Sequence, residues 1–214
     1  MTLPAPTAQA ATYPDLIKTI SPTSGKVKTT VTVTGTAPEN ISKYPVKFFW
    51  SYTEPTEATV EGYGYEEDYG YGALGDGWKS LTPTTMSVTD ATNYVAKFEV
   101  PLAKARKVYI IAWQDKDNIN VIDSGEWDYA EFTILKGITL EPSKGAVGTN
   151  LTVYGSGFTP NGAVDIYFDA DKDSHWEPGE LQVVGGDISS NGTFEKAFLV
   201  PEVTAGYTSY MVYA

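Results

Sequence analysis

The sequence predicts an all-β chain of tandem immunoglobulin-like sandwiches, the second lacking its terminal strand. Two observations carry the fold class. Short runs rich in Val, Thr, Tyr and Phe, alternating or continuously apolar, are separated by Gly, Pro, Asn and Asp clusters, and no helical stripe appears anywhere. The segment Ile20 to Gly35 also aligns without gaps on Leu140 to Gly155, with Pro22/Pro142, Gly25/Gly145, Val27/Val147, Thr29/Thr149, Thr32/Thr152, Val33/Val153 and Gly35/Gly155 identical, the mark of an internal duplication.

The chain opens on MTLPAPTAQAATYP, residues 1–14, without one charged side chain, although 20% of the whole chain is charged. This arm has neither the basic start nor the apolar stretch of an intact signal peptide. With no run of about 18 apolar residues, no membrane span is expected. The first copy, 15–136, supplies candidate strands near 16–21, 29–35, 46–52, 86–89, 94–100, 107–114 and 129–135, and seven short strands suit an immunoglobulin-like sandwich. Val46 to Trp50 matches Val164 to Phe168, and Phe98 to Pro101 matches Phe198 to Pro201, so the offset falls from 120 to 100 along the chain. The first copy therefore holds an insert of about twenty residues, placed at the Tyr/Gly-rich acidic stretch 54–77. Only Lys136 and Gly137 separate its last strand from the second copy, 137–214, which reads as a fairly stiff tandem.

The second copy is short. Tyr207 to Ala214 takes the place of Lys107 to Gln114, the sixth strand, and no seventh follows. A sandwich without that strand leaves ladder groups unpaired, and three or four uncovered apolar side chains forfeit on the order of 5–10 kcal/mol. The uncharged arm is the natural filler, with Thr2, Leu3, Ala5, Ala8, Ala10 and Ala11 as donor positions and Tyr210, Met211, Val212 and Tyr213 as the acceptor strand. Donor and acceptor at opposite ends give head-to-tail contacts, hence rings or open filaments built of copies of this chain. Pro4 and Pro6 weigh against a full ladder.

Charge and composition narrow the chemistry. The net charge of −12 and a single arginine, Arg106, disfavour nucleic acid. No cysteine is present, which excludes thiol catalysis, disulfides and thiolate-bound metals, and one histidine, His175, gives no nucleophile constellation, so no enzymatic activity is expected. Asp169, Asp171, Asp173, Glu177 and Glu180 fall at positions 1, 3, 5, 9 and 12 of a calcium-type loop, with Ser174 where glycine is usual. Asp115, Asp117, Asp123 and Glu126 repeat positions 1, 3, 9 and 12 of that frame. Glu66, Glu67, Asp68 and Asp76 form a third cluster in the insert. Alternating hard oxygen ligands point to Ca2+, which would also offset repulsion between packed acidic subunits. Asn40, Asn150 and Asn191 head N-glycosylation patterns and hint at the cell exterior.

Taken together, the stretch Pro-Ser-Lys-Gly-Ala-Val-Gly-Thr-Asn-Leu-Thr-Val-Tyr-Gly-Ser-Gly-Phe at 142–158 resembles repeats of archaeal surface proteins. The small acidic chain with its 169–180 loop and missing strand is similar to the cannula subunits of hyperthermophilic archaea. That resemblance implies an extracellular hollow tube assembled with calcium and strand donation, with Asp169, Asp171, Asp173 and Glu180 as calcium ligands and residues 2–12 as the donated segment. The rival expectation is a calcium-stabilised cell-surface carbohydrate-binding module or adhesin that uses Trp and Tyr side chains.

Overall fold

The computed structural model describes residues 15–56, 79–118, 122–169, 181–202 and 211–214. The described residues are all-β, with no helix. By contacts the chain separates into two compact units, one of residues 1–23, 31–98 and 107–132, the other of residues 24–30, 99–106 and 133–214.

The first copy contributes β1 (Thr19–Ser21), β2 (Ser24–Gly25), β3 (Thr30–Thr36), β4 (Val46–Ser51), β5 (Lys79–Ser80), β6 (Thr85–Val88), β7 (Asn93–Glu99), β8 (Lys107–Gln114) and β9 (Trp127–Ile134). They form sheets of order β1-β3-β7-β6 and β2-β9-β8-β4-β5. Strict alternation in β3, with Val31 and Val33 buried between half-buried threonines, is what a strand covered on one face requires. Phe48 of β4 meets Tyr94 and Phe98 of β7 edge-on, at ring separations of 5.6 and 4.8 Å, and so ties the two sheets face to face.

The five-stranded sheet is buried on its other face as well. Phe49, Ile111 and Trp113 point away from Phe48 and pack with Trp127 and with Ile122 from the β8–β9 loop, all at most 1% exposed. This explains the unbroken apolar run Val108 to Trp113, which alternation alone would have interrupted.

The second copy contributes β10 (Gly137–Glu141), β11 (Asn150–Ser156), β12 (Ala163–Phe168), β13 (Leu181–Asp187), β14 (Thr193–Leu199) and β15 (Val212–Tyr213), in sheets β10-β11-β14 and β13-β12-β15. Its core joins Leu151, Val153, Val164, Ile166, Phe168, Phe194 and Phe198. The sixth strand sits two residues from its sequence alignment. Val212 faces Phe168 as Ile110 faces Trp50, an offset of 102 rather than 100. The short run Tyr207 to Ala214 had too few apolar anchors to fix its register.

The duplicated residues have duplicated jobs. A Cβ on Gly25 would sit 2.7 Å from the Thr29 methyl, and one on Gly145 2.5 Å from that of Thr149, so each glycine lets its chain fold over a threonine. Lys28 N donates to Val100 O and Val100 N to Thr29 O, and the same clamp recurs as Gly148 N to Val200 O and Val200 N to Thr149 O. Both copies hold a cis peptide before the matched proline, Pro22 and Pro142.

Gly35 lies against the Leu16 carbonyl, to which the buried Tyr94 hydroxyl donates. Gly35→Ala should cost about 1–3 kcal/mol by overpacking, and Tyr94→Phe a similar amount by stranding a buried carbonyl. Urea unfolding checks both; losses under about 0.5 kcal/mol in each would mean that Leu16 is not anchored there.

Candidate metal centre

The end of β8 and the start of β9 bring one acidic group together. Asp115 follows directly on β8 and Glu126 directly precedes β9, and Gln114 N donates to Glu126 O at 2.8 Å, so the two acids stand at adjacent strand ends. The join is anchored by Gln114, fully buried, whose amide donates to Glu39 O and Tyr44 O at 3.0 and 2.6 Å and accepts from Glu39 N at 2.9 Å. A polar residue closing an apolar strand was the available sign of this anchor. Asn118 and Gly125 take positive φ, 62° and 79°, which lets the loop turn back over the strand ends.

One carboxylate oxygen each from Asp115, Asp117 and Glu126 lies within 4.8 Å of the others. Asp115 and Glu126 are buried and Asp117 is exposed, so the group opens to solvent on one side. Lys116 N and Asp123 N donate to Glu126 at 3.2 and 3.3 Å, and Trp113 Nε1 stands 3.5 Å from it. Burial pushes the Glu126 carboxyl up from its ordinary value; the backbone and indole donors pull against that, and Asp117 adds to it. Lys116 Nζ is 4.0 Å from Glu126 and half out in solvent, a weak counter-charge for three acids. Calcium binds oxygens at about 2.3–2.6 Å, so one ion spans a group of this size. These residues fit a hard divalent cation by donor type and spacing. The ion would also fasten the loop that inserts Ile122 between Trp113 and Trp127.

The other expected ligands are placed as follows. Asp123 joins the centre through its backbone N–H, and its carboxylate is not one of the three grouped oxygens. Asp169, at the end of β12, is fully buried, and its N–H donates to Met211 O at 3.0 Å. Asp171, Asp173, Glu177 and Glu180 lie outside the described residues, as do Glu66, Glu67, Asp68 and Asp76. The segments 52–78 and 169–180 hold corresponding places, joining β4 or β12 to the strand at that sheet's edge, β5 or β13. Trp50, Trp113 and Trp127 are buried, at most 6% exposed, and so offer no open platform for stacking a sugar.

A second feature lies in the second copy. In the first, β9 runs beside β8 and its end pairs in parallel with β2, Ser24 with Thr133 and Gly25 with Ile134. There Val27 is 0% exposed and Ile110 5%. The matched Val147 is 59% exposed, Gly145 is exposed where Gly25 is buried, and Val212 is only half-buried. Among the described residues, β15 is the edge of its sheet and nothing pairs with residues 144–145. Met211 of the expected acceptor strand is exposed and Tyr213 half-buried, while Tyr210 and the donor positions Thr2, Leu3, Ala5, Ala8, Ala10 and Ala11 lie outside the described residues.

No protein-family model and no curated protein matches this chain.

Proposed function

We propose that this chain is a non-catalytic structural subunit of an extracellular tubular or filamentous polymer, of the kind formed by the archaeal cannula subunits it resembles. Copies join head-to-tail. The arm of one copy lies in the open lane of the next, between residues 144–147 and β15, in the position that β9 holds in the first sandwich. The observation that carries this reading is the contrast between Val27, at 0% exposure, and Val147, at 59%. One sequence position, repeated, is covered in one copy and bare in the other.

Calcium enters as the counter-ion of assembly. Subunits of net charge −12 repel one another, and an ion at Asp115, Asp117 and Glu126 removes charge while fastening the β8–β9 loop. In the described residues no helix is long and apolar enough to cross a membrane. Light scattering and negative-stain microscopy with millimolar calcium or with chelator test the reading. Ordered polymer with calcium and dispersed subunits with chelator are expected; a calcium-indifferent monomer at high concentration would overturn it.

A further inference from the structure

Three Asn-x-Ser/Thr patterns occur in this chain, and the fold treats them differently. Asn150 opens β11 opposite Leu199, and its partner Thr152 is a central-strand residue paired with both Glu141 and Ala197. Thr152 is held in a two-sided ladder, and Asn150, exposed, is paired on one side. Asn191 is exposed, but Thr193 is only 7% exposed, and its hydroxyl shares a 2.8 Å hydrogen bond with Ser189 Oγ. Its hydroxyl is committed to the turn.

Asn40-Ile41-Ser42 lies on the loop between β3 and β4 with both Asn40 and Ser42 exposed. Ile41 between them is 6% exposed and donates its N–H to Ala91 O at 2.9 Å, so the loop is pinned by its middle residue. Ser42 N donates to Asn40 Oδ1 at 2.9 Å, and Lys43 N and Tyr44 N donate to Asn40 O at 3.0 and 2.9 Å. The amide nitrogen is the side-chain atom to be modified, and the hydrogen bond to Asn40 Oδ1 leaves it uncommitted.

We propose that Asn40 is an N-glycosylation site and that, on the folded chain, it is modified in preference to Asn150 and Asn191. The donor is a lipid-linked oligosaccharide, and the catalyst an oligosaccharyltransferase that reads Asn-x-Ser/Thr. A bond forms between Asn40 Nδ2 and the anomeric carbon as the bond from that carbon to the lipid phosphate oxygen breaks. The lipid phosphate leaves with the bonding electrons, and the displaced amide proton passes to a base of the transferase. In the cell this modification rests on the extracellular reading above; the chemical preference does not, so it is tested on purified protein.

The folded chain, and the same chain unfolded in denaturant and diluted just before use, are incubated with a purified oligosaccharyltransferase and its lipid-linked oligosaccharide. Peptide mass spectrometry then maps the sites. The expected result is glycan on the peptide holding Asn40 in the folded chain, at least tenfold above the peptides holding Asn150 and Asn191, and its loss in Ser42→Ala. Addition at Asn150 or Asn191 to an equal or greater extent in the folded chain would overturn the proposal. So would a folded chain left bare at Asn40 when the unfolded chain is modified there. Neither result bears on whether the chain polymerises.

Discussion

Val147→Asp abolishes assembly while leaving the isolated subunit as stable as the parent, to within about 0.5 kcal/mol; this is the expected result for a surface position. The same change at the duplicated position, Val27→Asp, should unfold the region around it. Val27 has no exposed surface, and an unpaired carboxylate there costs several kcal/mol. The two substitutions are identical in chemistry and in place within the repeat, so their opposite outcomes report the difference in burial between the two positions. Removing residues 2–12 should match Val147→Asp, with polymer reduced to background and the thermal unfolding of the subunit unchanged. A peptide of residues 2–14, added in excess, should stop growth of the parent by occupying the lane. Normal polymer from Val147→Asp, scored by sedimentation and negative stain, would show that the lane takes no part in assembly.

Calcium should raise the thermal midpoint by about 5–10 °C at a hundredfold excess over its dissociation constant. Binding to the native state alone is then worth about 2.7 kcal/mol, and a chain of this length gains about 2–4 °C per kcal/mol. Replacing Asp115 and Asp117 together by asparagine should remove at least half of that rise, while in chelator the variant should be as stable as the parent or more so. The sign reverses because, without an ion, the Asp117 charge disfavours the ionised form of the buried Glu126 carboxyl, and asparagine removes it. Calorimetry with calcium and with chelator separates the two effects. A double variant that keeps the whole calcium shift would place the stabilising ion elsewhere. Terbium adds an optical check: Trp113, beside Glu126, should sensitise its emission, and the signal should fall in Glu126→Gln.

Much of the fold was legible in the sequence because its strands are half-buried. Val31 and Val33 alternate with threonine, and the repeated Gly and Thr positions mark the same turn twice. Among the described residues of the first copy two strands escaped notice: β2 and β5 have two residues each, too few for any period, and exist only through their partners. The outer layer on the β8 face was also missed. A run such as Val108 to Trp113 shows that both faces are covered but not by what, and Ile122 comes from a loop chosen for its acids rather than for its one apolar anchor. The acidic β8–β9 loop was read by acid spacing, which treats every acid as a ligand. The fold distinguishes them, presenting Asp115, Asp117 and Glu126 by their carboxylates and Asp123 by its backbone. The expectation of an open lane came from the duplication, since only a second copy of the same sandwich reveals which strand has no counterpart.

The most direct measurement is a near-atomic reconstruction of the calcium-grown polymer, read at the lane between residues 144–147 and Val212–Tyr213. Density for residues 2–12 of a neighbouring copy, running parallel to residues 144–145 and covering Val147, is what the account predicts. A lane closed by the subunit's own backbone, or filled with solvent, would contradict it.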